Sequence, residues 1–546
     1  MTFRDPAFPG PQSWNRHTRT LDSPWVRMKL AAIDLGSNSF HAVIVGVLPS
    51  GVFRVIDRER DMVRLGSTLA SGRLSARAME RGLHVLRRYE RLAANHRVDK
   101  VLAVATSAVR EAANGEEFLR RVRRAVGFRP RVVSGEEEGR LVYLAALHSV
   151  HLDGRTLAVD LGGGSVELAL GTGADVERVV SARLGVLRTS ERFVRSDPIS
   201  ESDEARLVRH VREAIGPALD ELRATGYDRL VGTSGTILCL GAMALALDGR
   251  RPSGTLHHVP VDREAIHEVR RRLVASDLRQ RLRLPGMDER RGDTLVAGAV
   301  VVDEILEGLG AREVVLCEWG LREGILLDYI HGHPRPVLRV AAGPEVRRRS
   351  VRHLAERFPS DQAHARHVAC LSLQLFDALQ DLHEMPAAAR DLLESAALLH
   401  DIGHAISFPG HHRHSYYLVK NGDLRGFSPL EVEMIALVAR YHRRGRPRRR
   451  HPVFGALPKP ARRTVRTLAG ILRVADALDR SHRQVVAAVR MVERNGKLRL
   501  RCETRGDIEL EAWDVPKRSA LLAECLDMPL RLEFVAQAPL VSARAS

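Results

Sequence analysis

Ala158-Val-Asp-Leu-Gly-Gly-Gly-Ser165 repeats, in register, an earlier stretch of the same chain, Ala32-Ile-Asp-Leu-Gly-Ser-Asn-Ser39. Each copy is an apolar run that ends in aspartate, turns through glycine and serine, and resumes with alternating apolar residues. Each therefore predicts strand, tight turn and strand. Asp34 aligns with Asp160, Gly36 with Gly162 and Ser39 with Ser165. Glycine lets backbone N–H groups approach an anion, and a carboxylate beside such a turn can hold a divalent cation directly or through water. One such turn is weak evidence. Two in register, both leaving apolar strands, predict a duplicated unit built around a phosphate chain and its cation.

Reading outward, residues 29–150 predict strands at Leu30–Asp34, Phe40–Val47, Val52–Arg60, Val101–Ala105 and Arg131–Ser134, with helices at Ala76–Ala93, Glu116–Ala125 and Glu136–Leu147. The pattern restarts at Thr156 and runs to about residue 332, through strands at Leu157–Asp160, Val166–Leu170, Arg229–Gly232 and Glu313–Cys317 and helices at Glu201–Ala224 and Thr294–Leu309. Strand alternating with helix at this rhythm predicts two α/β domains, 29–150 and 151–332, facing one cleft. Pro334, Pro336 and Gly343-Pro344 punctuate the next boundary. From 338 to 482 the apolar spacing is helical, and 483–546 returns to short alternating strands, which predicts an all-α domain and a small α+β C-terminal domain.

Hydrophobic residues make up 44% of the 546, but no apolar run approaches the roughly 18 residues of a membrane helix, which argues against membrane association. Residues 1–28 lack the apolar core of a secretory signal and read as a disordered extension, with Met28 as an alternative start. Five scattered cysteines have neither metal nor disulfide spacing, the pattern of a reducing cytoplasm. The net charge of +18 favours an anionic partner, while an aromatic content of only 4% argues against a base-stacking platform for nucleic acid. The arginine runs at 347–349 and 443–450 read first as solvated faces; the second lies in the helical stretch, near a histidine cluster.

Further segments complete the pattern: Ala105-Thr-Ser-Ala-Val-Arg110, Val133-Ser-Gly-Glu-Glu-Glu-Gly-Arg140, Gly232-Thr-Ser-Gly-Thr236 and Gly320-Leu-Arg-Glu-Gly324, in this order with the two repeated turns. Together they resemble the exopolyphosphatase / guanosine pentaphosphate phosphohydrolase family. The resemblance implies an α/β fold of two actin/sugar-kinase/heat-shock-ATPase-like (ribonuclease H-like) domains. It also implies hydrolysis of a terminal phosphoanhydride, which needs an anion cradle, a metal and a carboxylate that activates water. Ser37, Asn38 and Ser39 with Gly162, Gly163, Gly164 and Ser165 supply the cradle, and Arg110 offers a guanidinium fork for a phosphate. Asp34 and Asp160 are the natural anchors of Mg2+ (or Mn2+). Glu138 resembles the family's water-activating glutamate, with Glu167 as a second candidate for metal or water. Gly235 lies in a turn resembling the superfamily's adenosine-side turn, here expected to contact phosphate or to close the cleft.

The helical stretch holds His367, His400-Asp401, His411-His412-Arg-His414, His442 and Asp476 among 24 histidines. A His…His-Asp…Asp series resembles the HD phosphohydrolase superfamily, which implies a divalent metal on His367, His400, Asp401 and Asp476. His412 or His414 are candidates to join His442 at a second ion. The leading substrate is inorganic polyphosphate, with guanosine pentaphosphate as the runner-up; a non-catalytic polyphosphate or nucleotide sensor and a sugar-kinase-like phosphotransferase are the other readings. A homodimer stays open.

Overall fold

Asp34 stands opposite His41, and Asp160 opposite Glu167, in two antiparallel hairpins of equivalent register. This is how the sequence repeat is expressed in the computed structural model, which describes residues 28–48, 53–67, 71–150, 154–250, 255–332, 344–358, 360–443, 445–494 and 497–536. The expected N-terminal extension, apart from Met28, and the punctuated boundary at 333–343 lie outside the described residues.

The first sheet orders β3 (Phe53–Asp61), β2 (Phe40–Val47), β1 (Met28–Leu35), β4 (Lys100–Ala105) and β5 (Arg131–Val132). The second orders β10 (Pro260–Asp262), β11 (Glu313–Leu316), β9 (Arg229–Thr233), β6 (Arg155–Leu161), β7 (Val166–Thr172) and β8 (Asp175–Ala182). In each, the first hairpin strand pairs in parallel with the strand after the crossover, and the third strand carries the meander on antiparallel. Even the irregularity recurs, between Ile44 and Val45 and between Leu170 and Gly171. The two units are actin-like α/β domains, as expected.

Two helices fill the space between the sheets. Gly135–Ser149 is started by Ser134, whose Oγ accepts from Glu137 N (3.0 Å), and carries three glutamates in its first turn, where the helix dipole favours negative charge. It packs on Leu321–Gly332, and a Cβ at Gly324 would lie 2.1 Å from Leu141 O, so only glycine allows this approach. Leu141, Val142, Ala146 and Leu326 join Leu30 and Val43 of the first sheet and Ala158 and Ala169 of the second in one core. Both helices begin at the cleft between the units.

Helices from Pro344–Arg357 to Lys459–Ala477 form the third region. The sheet that follows, β12 (Val486–Arg494), β13 (Lys497–Thr504) and β14 (Leu532–Ala536), buries Val489, Leu500 and Cys502 in the same core as Leu371, Leu393 and Leu468. The boundary expected at 482/483 thus falls inside a continuous core. Arg425 docks this region on the α/β units, its guanidinium 4.9 Å from the Phe53 ring and 4.5 Å from that of Trp319. No helix of the described residues is long and apolar enough to cross a membrane.

Candidate active site

The two glycine turns meet across the cleft. A Cβ on Gly163 would lie 2.9 Å from Asn38 N, and one on Gly164 would lie 2.3 Å from Ser107 Oγ and 2.8 Å from Ser37 Oγ. Arg188 ties the halves, with Nε donating to Gly164 O (3.2 Å) and Nη2 2.7 Å from Glu111 Oε2. Asp34, Ser37, Asn38, Ser39, Glu138, Asp160, Gly162, Gly163, Gly164, Ser165 and Gly235 all line this cleft of about 1380 Å3, counting its open mouth.

Arg110 and Glu167 are not among the lining residues. Arg110 Nη1 instead donates to Val133 O (2.6 Å) and to Glu138 Oε2 (3.2 Å). Glu167, fully buried, accepts from Ser181 Oγ (2.9 Å) on one oxygen, while Oε2 has no partner. The four carboxylates crowd one another out of water. Burial, with Asp160 adding, pushes Asp34 up to about 7 against the pull of Arg322. Burial pushes Asp160 up to about 6 and, with Asp160 adding, Glu167 up to about 8. Burial and then Glu167 hold Glu138 well above the usual carboxylate range.

Asp34 Oδ1 and Glu167 Oε2 are buried without a hydrogen-bond partner, and buried carboxylate oxygens are the donors a hard divalent cation takes. The set fits Mg2+ or Mn2+, with Asp34 and Asp160 as the cleft-lining anchors. A carboxyl whose folded pKa exceeds its unfolded value binds more protons folded than unfolded. The metal-free protein should therefore lose stability as pH rises from about 4, the ordinary carboxyl value, to about 8, and Mg2+ should recover it increasingly over the same window. Thermal midpoints with and without Mg2+ across that range check this. A Mg2+ increment that shrinks with rising pH, or that persists in Asp34→Asn, counts against it.

Arginines line the cleft too, beside Glu59 and Glu318: Arg58, Arg60, Arg291 and Arg322, residues not singled out from the sequence. Burial and the fields of Arg322, Arg60 and Arg291 hold His41 well below its usual range, and its Nε2 lies 2.7 Å from Ser39 Oγ. Arg291 is 7% exposed, with Asp288 at 3.5 Å as its acid. A Cβ on Gly235 would fall 1.8 Å from Arg291 Nη2, so this glycine is what admits the guanidinium. Gly235→Ala should displace Arg291 and raise KM about tenfold, the worth of one hydrogen bond to a charged group, with kcat little changed. Steady-state kinetics on a variant with unchanged circular dichroism decide it.

A second polar cluster lies in the helical region. His400 Nε2 is 3.6 Å from Asp401 Oδ2 and 3.8 Å from Asp476 Oδ1, which is 3.5 Å from His364 Nε2. On the other side of Asp401, Oδ1 lies 3.2 Å from His411 Nε2 and 3.5 Å from His442 Nε2. Asp401 thus belongs to two three-residue groups, His364–His400–Asp401 and Asp401–His411–His442. All four imidazoles are anchored through Nδ1, on Asp479 (2.8 Å), Ala397 O (2.7 Å), Phe408 O (3.1 Å) and Ala439 O (2.6 Å) for His364, His400, His411 and His442. With Nδ1 so held, each Nε2 is turned toward the carboxylates, the ring orientation of a metal ligand.

The helix Gln362–Ala378 turns His364 inward with Val368, Leu371 and Leu375, while His367 sits half-buried at the edge of that stripe and in neither group. His364 therefore stands where His367 was expected. Likewise His411, and neither His412 nor His414, joins His442.

The sequence model of the Ppx/GppA phosphatase family matches residues 43–333, and that of Ppx/GppA phosphatase domain III matches residues 346–517. Among solved structures, the Ppx/GppA family member from Aquifex aeolicus is 31% identical over 56% of this chain and 99% of its own, with a TM-score of 0.49. An exopolyphosphatase from Cytophaga hutchinsonii is 27% identical over 56% of this chain and 99% of its own, with a TM-score of 0.53.

Proposed function

The chain belongs to the Ppx/GppA phosphatase family, and from that premise we propose that its cleft hydrolyses the terminal phosphoanhydride bond of inorganic polyphosphate, releasing orthophosphate. The observation that carries this reading is the group of buried, raised carboxyls between two opposed glycine turns. Mg2+ or Mn2+ on Asp34 and Asp160 would supply charge neutralisation at the phosphoryl oxygens. Glu138 takes the proton of the attacking water, and burial and Glu167 raise the basicity of its carboxylate above the ordinary range. Arg110, bonded to Glu138 Oε2, fixes that carboxylate's orientation and acts through it. The turn N–H groups and the hydroxyls of Ser37, Ser39 and Ser165 hold the terminal phosphate.

Two features favour polyphosphate over guanosine pentaphosphate. Among the described residues that line the cleft there is no Phe, Tyr or Trp on which a guanine could stack. Four arginines, Arg58, Arg60, Arg291 and Arg322, line it and suit a polyanion. Phosphate release from long polyphosphate and from guanosine pentaphosphate tests it directly. The expected result is a larger kcat/KM for polyphosphate; a larger value for the nucleotide reverses the assignment, and binding of either without release returns the sensor reading.

For the helical region we infer a divalent-metal centre on His364, His400, Asp401 and Asp476, extended to His411 and His442. Its support is the four anchored imidazoles with Nε2 turned inward. Imidazole and carboxylate together suit Mn2+, Fe2+ or Zn2+.

A further inference from the structure

A separate cavity lies where the helical region docks on the α/β units. It is lined by His148 and His331, near the ends of the two central helices, by Arg349 and His353 of the helix Pro344–Arg357, and by Arg425. His148 is 8% exposed, and its ring is fixed by a hydrogen bond of 3.0 Å between Nδ1–H and Leu144 O. That leaves Nε2 buried, lone pair outward from the helix, with no partner. His331 Nε2 is equally buried and unpartnered, and the two rings are 5.0 Å apart. An unsatisfied buried polar atom costs about 1–3 kcal/mol, and here two line one cavity.

We propose that this cavity binds a single tetrahedral oxyanion, orthophosphate in the working enzyme. The fixed charges favour it: among the described lining residues two guanidiniums, Arg349 and Arg425, stand against one acid, Asp423, which lies 2.8 Å from Arg425. Counting its open mouth it holds about 510 Å3, against about 1380 Å3 for the cleft.

Protons complete the site. Burial holds His148 down to about 4, with His331, Arg349 and Arg425 adding to it. Burial and Arg349 lower His331, opposed by Asp328. His353 is held near 4 by burial and by Arg425, Arg357 and Arg54, opposed by Asp423. An oxyanion offsets those cations, so the imidazoles take up protons as it binds and become donors to it. Both candidate substrates release orthophosphate, so the site relies on the phosphatase reading only for the source of its ligand. The two helices that end here carry Glu138 and Arg322, at their other ends, into the cleft.

Sulfate is the probe that isolates the protein's own protons, because it does not titrate near neutrality. Calorimetric titration of the full chain in EDTA should show a saturable sulfate site that tightens about tenfold from about pH 8 to about pH 6. Inorganic phosphate should compete for it. Arg349→Gln and His148→Asn should each weaken it about tenfold or more, while Arg291→Gln, in the cleft, should leave it intact. His331→Asn supplies the same reading should Arg349→Gln fold poorly. The absence of saturable binding, or binding lost only in Arg291→Gln, overturns the proposal. Hydrolysis is assayed separately, so failure of the cleft reading leaves a distinct signature: no phosphate release with the sulfate site retained.

Discussion

Glu138→Gln is expected to lower phosphate release by about a hundredfold or more while polyphosphate still binds. The substitution keeps the size of the side chain and an oxygen that can accept from Arg110 Nη1 (now 3.2 Å), but an amide cannot take a proton from water. Glu138 is 6% exposed, at the head of a capped helix, so a neutral isostere should not loosen the fold. It also removes one of four mutually repelling carboxyls, and the metal-free variant should be at least as stable as the parent. Loss of kcat with KM nearly kept is therefore the signature of the base. Near-parental turnover would sink the assignment and turn attention to Glu167, which lies behind it with a free oxygen. Arg110→Gln provides a graded companion: a positioning residue should lower kcat less and shift the pH profile of kcat upward, since its guanidinium pulls the Glu138 pKa down.

The fold was legible where the chain alternates between two environments. The hairpins around Asp34 and Asp160 each have one apolar arm, a glycine turn and a second apolar arm, so their strands, register and duplication follow from local pattern. The helix Ser234–Leu247 went unread because it is apolar nearly all round; a buried helix without a polar face shows no period. Leu321–Gly332 escaped for the same reason, lying between two sheets. Site residues carried by the repeated turns were legible because their chemistry and conformation are specified together. The arginines of the cleft were not: Arg60, Arg291 and Arg322 come from three remote stretches, and nothing local sets them apart from the other arginines. Of these only Arg322 lies within a motif, Gly320-Leu-Arg-Glu-Gly324. His367 follows from the His…His-Asp…Asp series, whereas His364 shares the buried phase of Val368 and Leu371.

Asp401→Ala should empty the helical region of metal and leave polyphosphate hydrolysis running. Asp401 is the residue common to both ligand groups, so its removal strips a ligand from each at once. What remains, His364 and His400 beside Asp476 and His411 beside His442, lacks the carboxylate that sits between the two pairs. Without metal, protons must do the neutralising: despite burial, hydrogen bonds to Asp476 and Asp479 push His364 up to about 10. Metal must displace that proton, so metal content after dialysis should fall as the buffer is made more acidic. A site loaded at a hundred times its Kd adds about 2.7 kcal/mol, and the variant should melt earlier by a corresponding several degrees, with no further loss on adding EDTA. The cleft keeps Glu138, Asp34 and Asp160, and phosphate release with added Mg2+ should stay within a few-fold of the parent. Metal analysis of the full-length parent and variant, alongside the activity assay, separates the outcomes. A parent free of metal in this region would make the cluster a proton-held packing device. A folded, metal-depleted variant that had lost all phosphate release would mean that the helical centre, and not the cleft alone, runs the reaction.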